Sequence, residues 1–329
     1  MINEQSIILN PRFKAYYYSF YVHGLFNIFK SINYSAEKFP SFHSHCLSFI
    51  VKGNNKKIYI SAGDGIGFNA EGLDWCDVYA KVNIREDMIP KQYSNKILPI
   101  GPSFGINYLN TFQTIYHLFK SLNSISLGPE DYSEHIKNYY QQWRYGLNLN
   151  NYKNQNVDLN YIFHASSLWK KEKQTNLFRY NFMHTSSKIK QIHFEGGFAP
   201  GKREFMDIPE NFILRNRLSR FDYLQKLKKS VVCFNTPAVQ GCLGWKLGEY
   251  LALGKAILST PINNMLPSPL VHGKHIHYVN GSRESIYDGI MKIIKDIPYR
   301  LQLEQNAKEY YENHLSPKAV LNRILNHRK

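Results

Sequence analysis

Cysteine is scarce in this sequence. The 329 residues hold only Cys46, Cys76, Cys233 and Cys242, and no two are spaced C-x-x-C. The closest pair, Cys233 and Cys242, has no zinc-site spacing. A thiol-bound zinc and a disulfide framework are therefore excluded, and the expectation is free buried thiols in a reducing compartment. Long apolar runs are also missing. None reaches the roughly 18 residues of a membrane span, and the start MINEQSIILNP has no basic stretch followed by an apolar one. The chain is thus expected in the cytoplasm, with any membrane contact peripheral. There is no G-x-S-x-G nucleophile elbow and no Walker A lysine. Acidic residues are few: 25 Asp and Glu against 41 Lys and Arg, a net charge of +16. That balance favours an anionic partner: nucleic acid, an anionic membrane surface or a phosphorylated substrate. The charge is spread along the chain and thickens only at Lys170–Lys171–Lys173 and Lys226–Lys228–Lys229. With no arginine-rich arm or basic tail, a dedicated nucleic-acid module is disfavoured.

What is present points to a globular α/β protein. Apolar residues make up 43% and charged residues 20%, and the length suits two domains of about 150 residues each. Short apolar runs alternate with helical stretches. In the first half, strands are expected at 6–9, 46–51, 57–62, 77–82 and 96–100, with a helix at 21–31 and an aromatic helical region over 108–145, broken at Gly128-Pro129. A polar, asparagine-rich stretch at 147–158 divides the chain, giving domains at 1–150 and 151–329. The second half restarts the alternation, with strands at 159–164, 191–194, 230–235, 256–259 and 276–279. Pro317 is placed to open a terminal helix. Two successive β/α sets suggest two doubly wound sheets facing a cleft.

The segment that carries chemistry is SVVCFNTPAVQGCLGWKLGEYLALGKAILSTP, from Ser230. A buried strand runs into a loop holding Gly241 and Gly244, a helix follows, and Gly254 ends it by taking a left-handed turn cheaply. A glycine-rich loop feeding a helix start is an anion site, because free N–H groups and the helix dipole point at the ligand. Lys246 adds a full positive charge in the first turn. Glu249, three residues on, shares its face. A lysine for a diphosphate beside a carboxylate for ribose hydroxyls is what a nucleotide diphosphate requires. The competing reading is an ordinary βαβ unit in which Glu249 is a solvated helix residue.

Glu249-Tyr250-Leu251-Ala252-Leu253-Gly254-Lys255-Ala256-Ile257 resembles the E-A-M-A-x-G-x-P-V signature of GT-B-fold glycosyltransferases, of the group 1 and exostosin-like kind. Ile97–Gly101 and Tyr161–His164 resemble the family's domain end and first C-terminal strand more weakly. The resemblance implies two Rossmann-like domains facing a cleft, with Glu249 on the ribose of a nucleotide sugar. The family often carries an earlier glutamate in an E-x7-E arrangement that touches the donor sugar. That position here is Gly241, which leaves the stereochemical outcome open. The Gly244-Trp245-Lys246 stretch resembles members that place a basic residue near the phosphates. The metal-dependent glycosyltransferase class usually holds its cation with D-x-D, and no D-x-D occurs in this chain. This fits a metal-independent reaction with no cofactor, in which helix dipole and basic side chains replace the ion.

Other candidates are weighed against structural roles. Asp64, in Gly63-Asp64-Gly65-Ile66-Gly67 after a strand, is either the base that deprotonates an acceptor or a turn-capping residue. Glu195 and Lys171 are candidate donor contacts, set against a solvated surface. Arg179 divides the same way. Trp245 either stacks on a ligand or packs in the core. Arg12, Lys14 and His23 either face phosphates or are surface residues. His43 with His45, and the cluster His272, His275 and His277, are read as ligand groups or as ordinary loop histidines. The expected function is transfer of a sugar from a nucleotide-sugar donor to a glycan or lipid-linked acceptor, in surface polysaccharide, lipopolysaccharide or glycoconjugate synthesis. A nucleotide-sugar epimerase of the same fold is the alternative enzyme, and a non-catalytic anionic-ligand or nucleic-acid binding protein the alternative without chemistry.

Overall fold

The computed structural model describes residues 6–42, 46–126, 128–153, 156–201 and 207–327. His43 and His45 lie outside them. Contacts divide the chain into two compact units, one of residues 1–150, 264–267 and 314–329, the other of residues 151–263 and 268–313. Both are α/β. No helix among the described residues is long and apolar enough to cross a membrane. The four cysteines are buried free thiols.

The first unit is built on β1 (Ser6–Leu9), α1 (Ser19–Ile28), β2 (Ser31–Tyr34), β3 (Leu47–Val51), β4 (Lys56–Ser61), α2 (Ala70–Trp75), β5 (Val78–Lys81) and β6 (Ile97–Pro99). Its sheet runs β2-β1-β3-β4-β5-β6. β3 is antiparallel to both β1 and β4, and the other neighbours are parallel. The expected doubly wound sheet is therefore mixed. The cause is the short connection after β3: the turn at Gly53-Asn54-Asn55, with Asn55 at φ 53°, reverses the chain, whereas a parallel return needs a crossover of a dozen or more residues. β2 is a second departure. The helix stops at Phe29, whose backbone is extended (φ −107°, ψ 134°), and buried Ile32 then anchors a strand where the sequence reading placed none. Two further helices, α3 (Thr111–Leu122) and α4 (Pro129–Tyr145), complete this stretch.

The second unit contains β7 (Tyr161–Ser166), α5 (Lys173–Lys188), β8 (His193–Phe198), α6 (Arg220–Lys229), β9 (Cys233–Asn235), α7 (Trp245–Leu253), β10 (Ile257–Ser259), β11 (His277–Tyr278), α8 (Arg283–Lys295) and α9 (Ile297–Tyr310). β7 pairs with β8, and β9, β10 and β11 pair in turn, all in parallel. The two groups are stitched where the chain enters β9: Val231 N donates to the Tyr161 carbonyl at 2.9 Å, and Phe163 N donates to the Ser230 hydroxyl at 2.9 Å. The spatial order is thus β8-β7-β9-β10-β11. The chain steps outward from β7 to β8, then returns to lay β9 on the other side of β7. Such a reversal opens a crevice at the carboxyl ends of the two strands beside it. The core beneath is apolar, with Phe182 stacked on Phe234 at 4.5 Å and Ile286, Ile290 and Ile293 behind them.

One boundary expectation is corrected. The terminal helix α10 (Pro317–Asn326) does open at Pro317, but it belongs to the first unit, not to a continuous 151–329 domain. Its buried Val320, Leu321 and Ile324 pack on α1. Lys56 reaches its free carbonyls, donating to Leu325 O at 2.7 Å and His327 O at 2.6 Å, a favourable place for a cation. The helices touch at Gly24, where an added Cβ would stand 2.9 Å from the Pro317 carbonyl oxygen and 2.7 Å from Leu321 Cδ1. Gly24→Ala is therefore expected to cost about 1–3 kcal/mol and to speed amide exchange over residues 317–326 while leaving β7–β11 unchanged. Unaltered exchange in that helix would contradict this packing.

Candidate functional site

The second unit's chemistry gathers where β7 and β9 end and α7 begins. After β9 the chain turns through Gln240 (φ 56°) and Gly241 (φ 72°), and Gln240 N donates to Glu172 Oε1 at 2.7 Å. Gly244 then caps α7 with an extended backbone and supplies no side-chain cap bond, so the opening N–H groups of the helix face the crevice without a side chain over them. At the other end Gly254 adopts φ 63°, ψ 49° and stops the helix as the sequence suggested.

Two cations meet at this crevice. Lys246, in the first turn of α7, donates to the Ala165 carbonyl at the end of β7. Burial, reinforced by the Arg179 guanidinium, pulls its ammonium down to about 7. Arg179 is buried on α5, donating from Nε to Thr236 Oγ1 at 3.0 Å and from Nη1 to Ser167 O at 3.0 Å, and burial lowers it to about 10. His164, 2% exposed, stands among them on β7. Burial and the charges of Lys246 and Arg179 hold its imidazole neutral, well below its ordinary value. Among the described residues neither ring nitrogen has a hydrogen-bond partner, nor does the buried Ser166 hydroxyl. All four residues line a pocket of about 170 Å³, together with Thr236, Gly244 and Trp245. Unpaired buried polar atoms are costly. A small site rich in cations and idle donors is suited to an anion such as a phosphate.

A second pocket of about 330 Å³ adjoins it, sharing Ser166, Ser167, Trp245 and Lys246 and adding Arg217, Arg220, Tyr223 and Glu249. Glu249 is 1% exposed. Its Oε1 accepts from Arg220 Nη2 at 2.7 Å and from the Tyr152 hydroxyl at 3.1 Å. Arg220 also sits 6.0 Å from the centre of the Trp245 ring. The carboxylate is thus not a solvated helix residue. Both bonds fall on Oε1.

The structure brings together Gly244, Trp245, Lys246, Glu249 and Arg179 and leaves the other candidates elsewhere. Gly241 lines neither pocket. Glu195, expected to line the cleft, is instead tied to Lys226 at 2.5 Å and to the Tyr161 hydroxyl at 2.6 Å, because it sits in the first half of β8 and not at its carboxyl end. Lys171 is exposed before α5 and lines neither pocket. In the first unit, Asp64 is exposed just past β4. The carbonyls flanking it are held by Asn83 Nδ2 on Gly63 at 2.8 Å and by the buried Lys81 on Gly65 at 2.7 Å. Arg12 is exposed, Lys14 pairs with Glu134 at 3.3 Å, and His23 contacts Asn27 at 3.1 Å. His277 is bound to the Tyr299 hydroxyl at 2.7 Å, with His272 4.7 Å away ring to ring. Among the described residues no three His, Cys, Asp or Glu side chains gather as metal ligands. Sequence reasoning missed His164, Arg220 and Tyr152. The readable signal was the polar run His164-Ala165-Ser166-Ser167 closing an apolar strand. No spacing rule links residues 152, 220 and 249.

No family model matches the sequence, and no curated protein does. Among solved structures, the chain is similar to the S. aureus MnaA–UDP co-structure (11% identity, 99% of this chain and 96% of that one, TM-score 0.45). It is similar to a putative UDP-N-acetylglucosamine 2-epimerase from Listeria monocytogenes (12%, 97% and 93%, TM-score 0.45). It is also similar to the C-terminal domain of LpcC, a glycosyl transferase group 1 family protein from Francisella tularensis (12%, 46% and 84%, TM-score 0.32).

The Glu249–Arg220 pair has a measurable consequence within the protein. Arg220→Ala strands a buried carboxylate with one hydroxyl donor and is expected to cost about 2–3 kcal/mol in urea unfolding, below the full value for a buried pair because Arg220 is partly exposed. Adding Glu249→Gln should recover much of that loss. If the double variant is as unstable as Arg220→Ala, the charge is not the cause.

Proposed function

We propose that the chain is a GT-B-type glycosyltransferase whose second unit binds a nucleotide-sugar donor. The observation that carries the reading is the pair of adjoining pockets at the start of α7: a small cationic one with idle hydrogen-bonding groups, and a larger one holding Trp245, Tyr223 and Glu249. The first suits a diphosphate, the second a nucleoside. Glu249 Oε2, which Arg220 and Tyr152 leave uncommitted, is assigned to ribose hydroxyls, with Oε1 fixed behind it.

In the proposed reaction the acceptor hydroxyl oxygen attacks the sugar's anomeric carbon, the bond to the diphosphate oxygen breaks, and its electron pair leaves with the diphosphate. The negative charge that develops there is met by the α7 N–H groups, Lys246 and Arg179, preorganised and partly desolvated. Asp64 is the proposed base for the acceptor proton if the reaction inverts. The reaction is proposed to need neither metal nor cofactor, to take place in the cytoplasm, and to serve a glycan or lipid-linked acceptor in surface polysaccharide or glycoconjugate synthesis.

Calorimetric titration with a panel of nucleoside diphosphates and nucleotide sugars tests the site, and hydrolysis-corrected transfer to added acceptor glycans separates a transferase from an epimerase, which needs no acceptor. The pH dependence has a defined sign. An anion favours protonated Lys246 and raises its pKa on binding. Affinity is therefore highest below about 7 and falls up to tenfold per unit as pH rises through 7. Lys246→Arg keeps its charge throughout that range and should remove this fall, so the difference between parent and variant isolates Lys246 from the ligand's own titration. Absence of binding by every nucleotide would reduce the α7 start to scaffold.

A further inference from the structure

We propose that the outward faces of α3 and α4, in the first unit, form a docking surface for an anionic lipid bilayer. Both helices carry a stripe of exposed apolar and aromatic side chains. On α3 the buried residues are Thr114 and Ser121, while Phe112, Ile115, Tyr116 and Phe119 are exposed, Phe112 at 85% and Phe119 at 61%. On α4 His135, Gln142 and the aromatic Tyr139 are buried, and Tyr132, Ile136, Tyr140 and Trp143 are exposed. The inner polar groups are used: the Ser121 hydroxyl lies 2.8 Å from His135 Nε2, and Gln142 Nε2 donates to Asn107 Oδ1 at 3.3 Å. Both exposed sets recur every three or four residues, so each forms one stripe along its helix. A soluble helix places such a stripe toward the core, and one turned outward marks an interaction surface.

The side-chain chemistry fits a bilayer. Phe112, Ile115, Phe119 and Ile136 have no polar tip and suit the acyl boundary, whereas Tyr116, Tyr132, Tyr140 and Trp143 carry a polar end suited to headgroup level. Charge complements an anionic surface. Exposed Lys137 and Arg144 border the α4 stripe beside Tyr140. Asp131 and Glu134 fall on the far side of α4 by helical geometry, and Glu134 is paired with Lys14. The chain's net charge of +16 adds a long-range attraction of the same sign. These observations are independent of the nucleotide pockets.

The test is co-sedimentation of the full chain with vesicles of phosphatidylcholine alone and with phosphatidylglycerol added, alongside the emission of Trp143 compared with Trp143→Phe. Binding is expected to the phosphatidylglycerol vesicles, with a blue shift that Trp143→Phe abolishes. Phe112→Ser with Phe119→Ser, and separately Lys137→Glu with Arg144→Glu, should each weaken it by about tenfold or more. These positions are exposed, so unfolding curves matching the parent would exclude a folding defect. No binding to either vesicle, equal binding to both, or binding indifferent to these variants would overturn the proposal. So would a concentration-dependent dimer that the Phe112→Ser, Phe119→Ser variant abolishes, which would make a second copy the occupant. Nucleotide affinity measured on the same samples fails or holds separately.

Discussion

Lys246 and Arg179 are held close together with no carboxylate among the described residues bonded to either, and the carboxyl edge of the second sheet is arranged around that fact. Each cation is fixed by neutral oxygens: the Ala165 carbonyl for one, Thr236 Oγ1 and the Ser167 carbonyl for the other. Neutral oxygens position a cation without cancelling it. The protein bears the cost of desolvating two like charges, visible in the lowered proton affinity of both. An anion is the partner that relieves such an arrangement. His164 fits the same logic. Its neighbours keep it uncharged, so it adds a donor or an acceptor without adding repulsion.

The acidic side of the site follows the opposite rule. Glu249 is given its own cation, Arg220, and a phenol, Tyr152. Arg220 therefore cannot serve a phosphate as freely as Lys246 can, although both line the larger pocket. One helix, α7, thus presents an unneutralised cation at its first turn and a neutralised anion at its second. The separation depends on α6 beginning with Arg220, which the Ser219 cap fixes by accepting from Asp222 N at 3.0 Å.

Legibility in the sequence divided along the range of the interactions. Local signals were read correctly: the Gly254 stop, the Pro317 start, the alternation of strands and helices, and the grouping of Gly244 to Glu249 on one helix face. What depends on distant residues was not. The antiparallel β3 needed the geometry of the turn at Asn55 to be taken to its conclusion. Glu195 was misplaced because its strand runs four residues further than its apolar run, which moves the carboxyl end away from it. Glu249 stood out in the sequence, but its burial against Arg220 is a contact between α6 and α7 that no periodicity encodes. The α3–α4 stripes are plainly amphipathic in sequence. Only the structure shows that their apolar side faces out.

The terminal helix has a bearing on how the protein is made. Residues 314–327 emerge from the ribosome after every residue of the second unit, yet they pack on α1, at Ser19–Ile28. The second unit can thus reach its final contacts while the first still waits for its last helix. During that interval the surface around Gly24 and the Lys56 ammonium stays uncovered. Vectorial synthesis usually completes domains in the order they are translated; here the unit begun first is closed last.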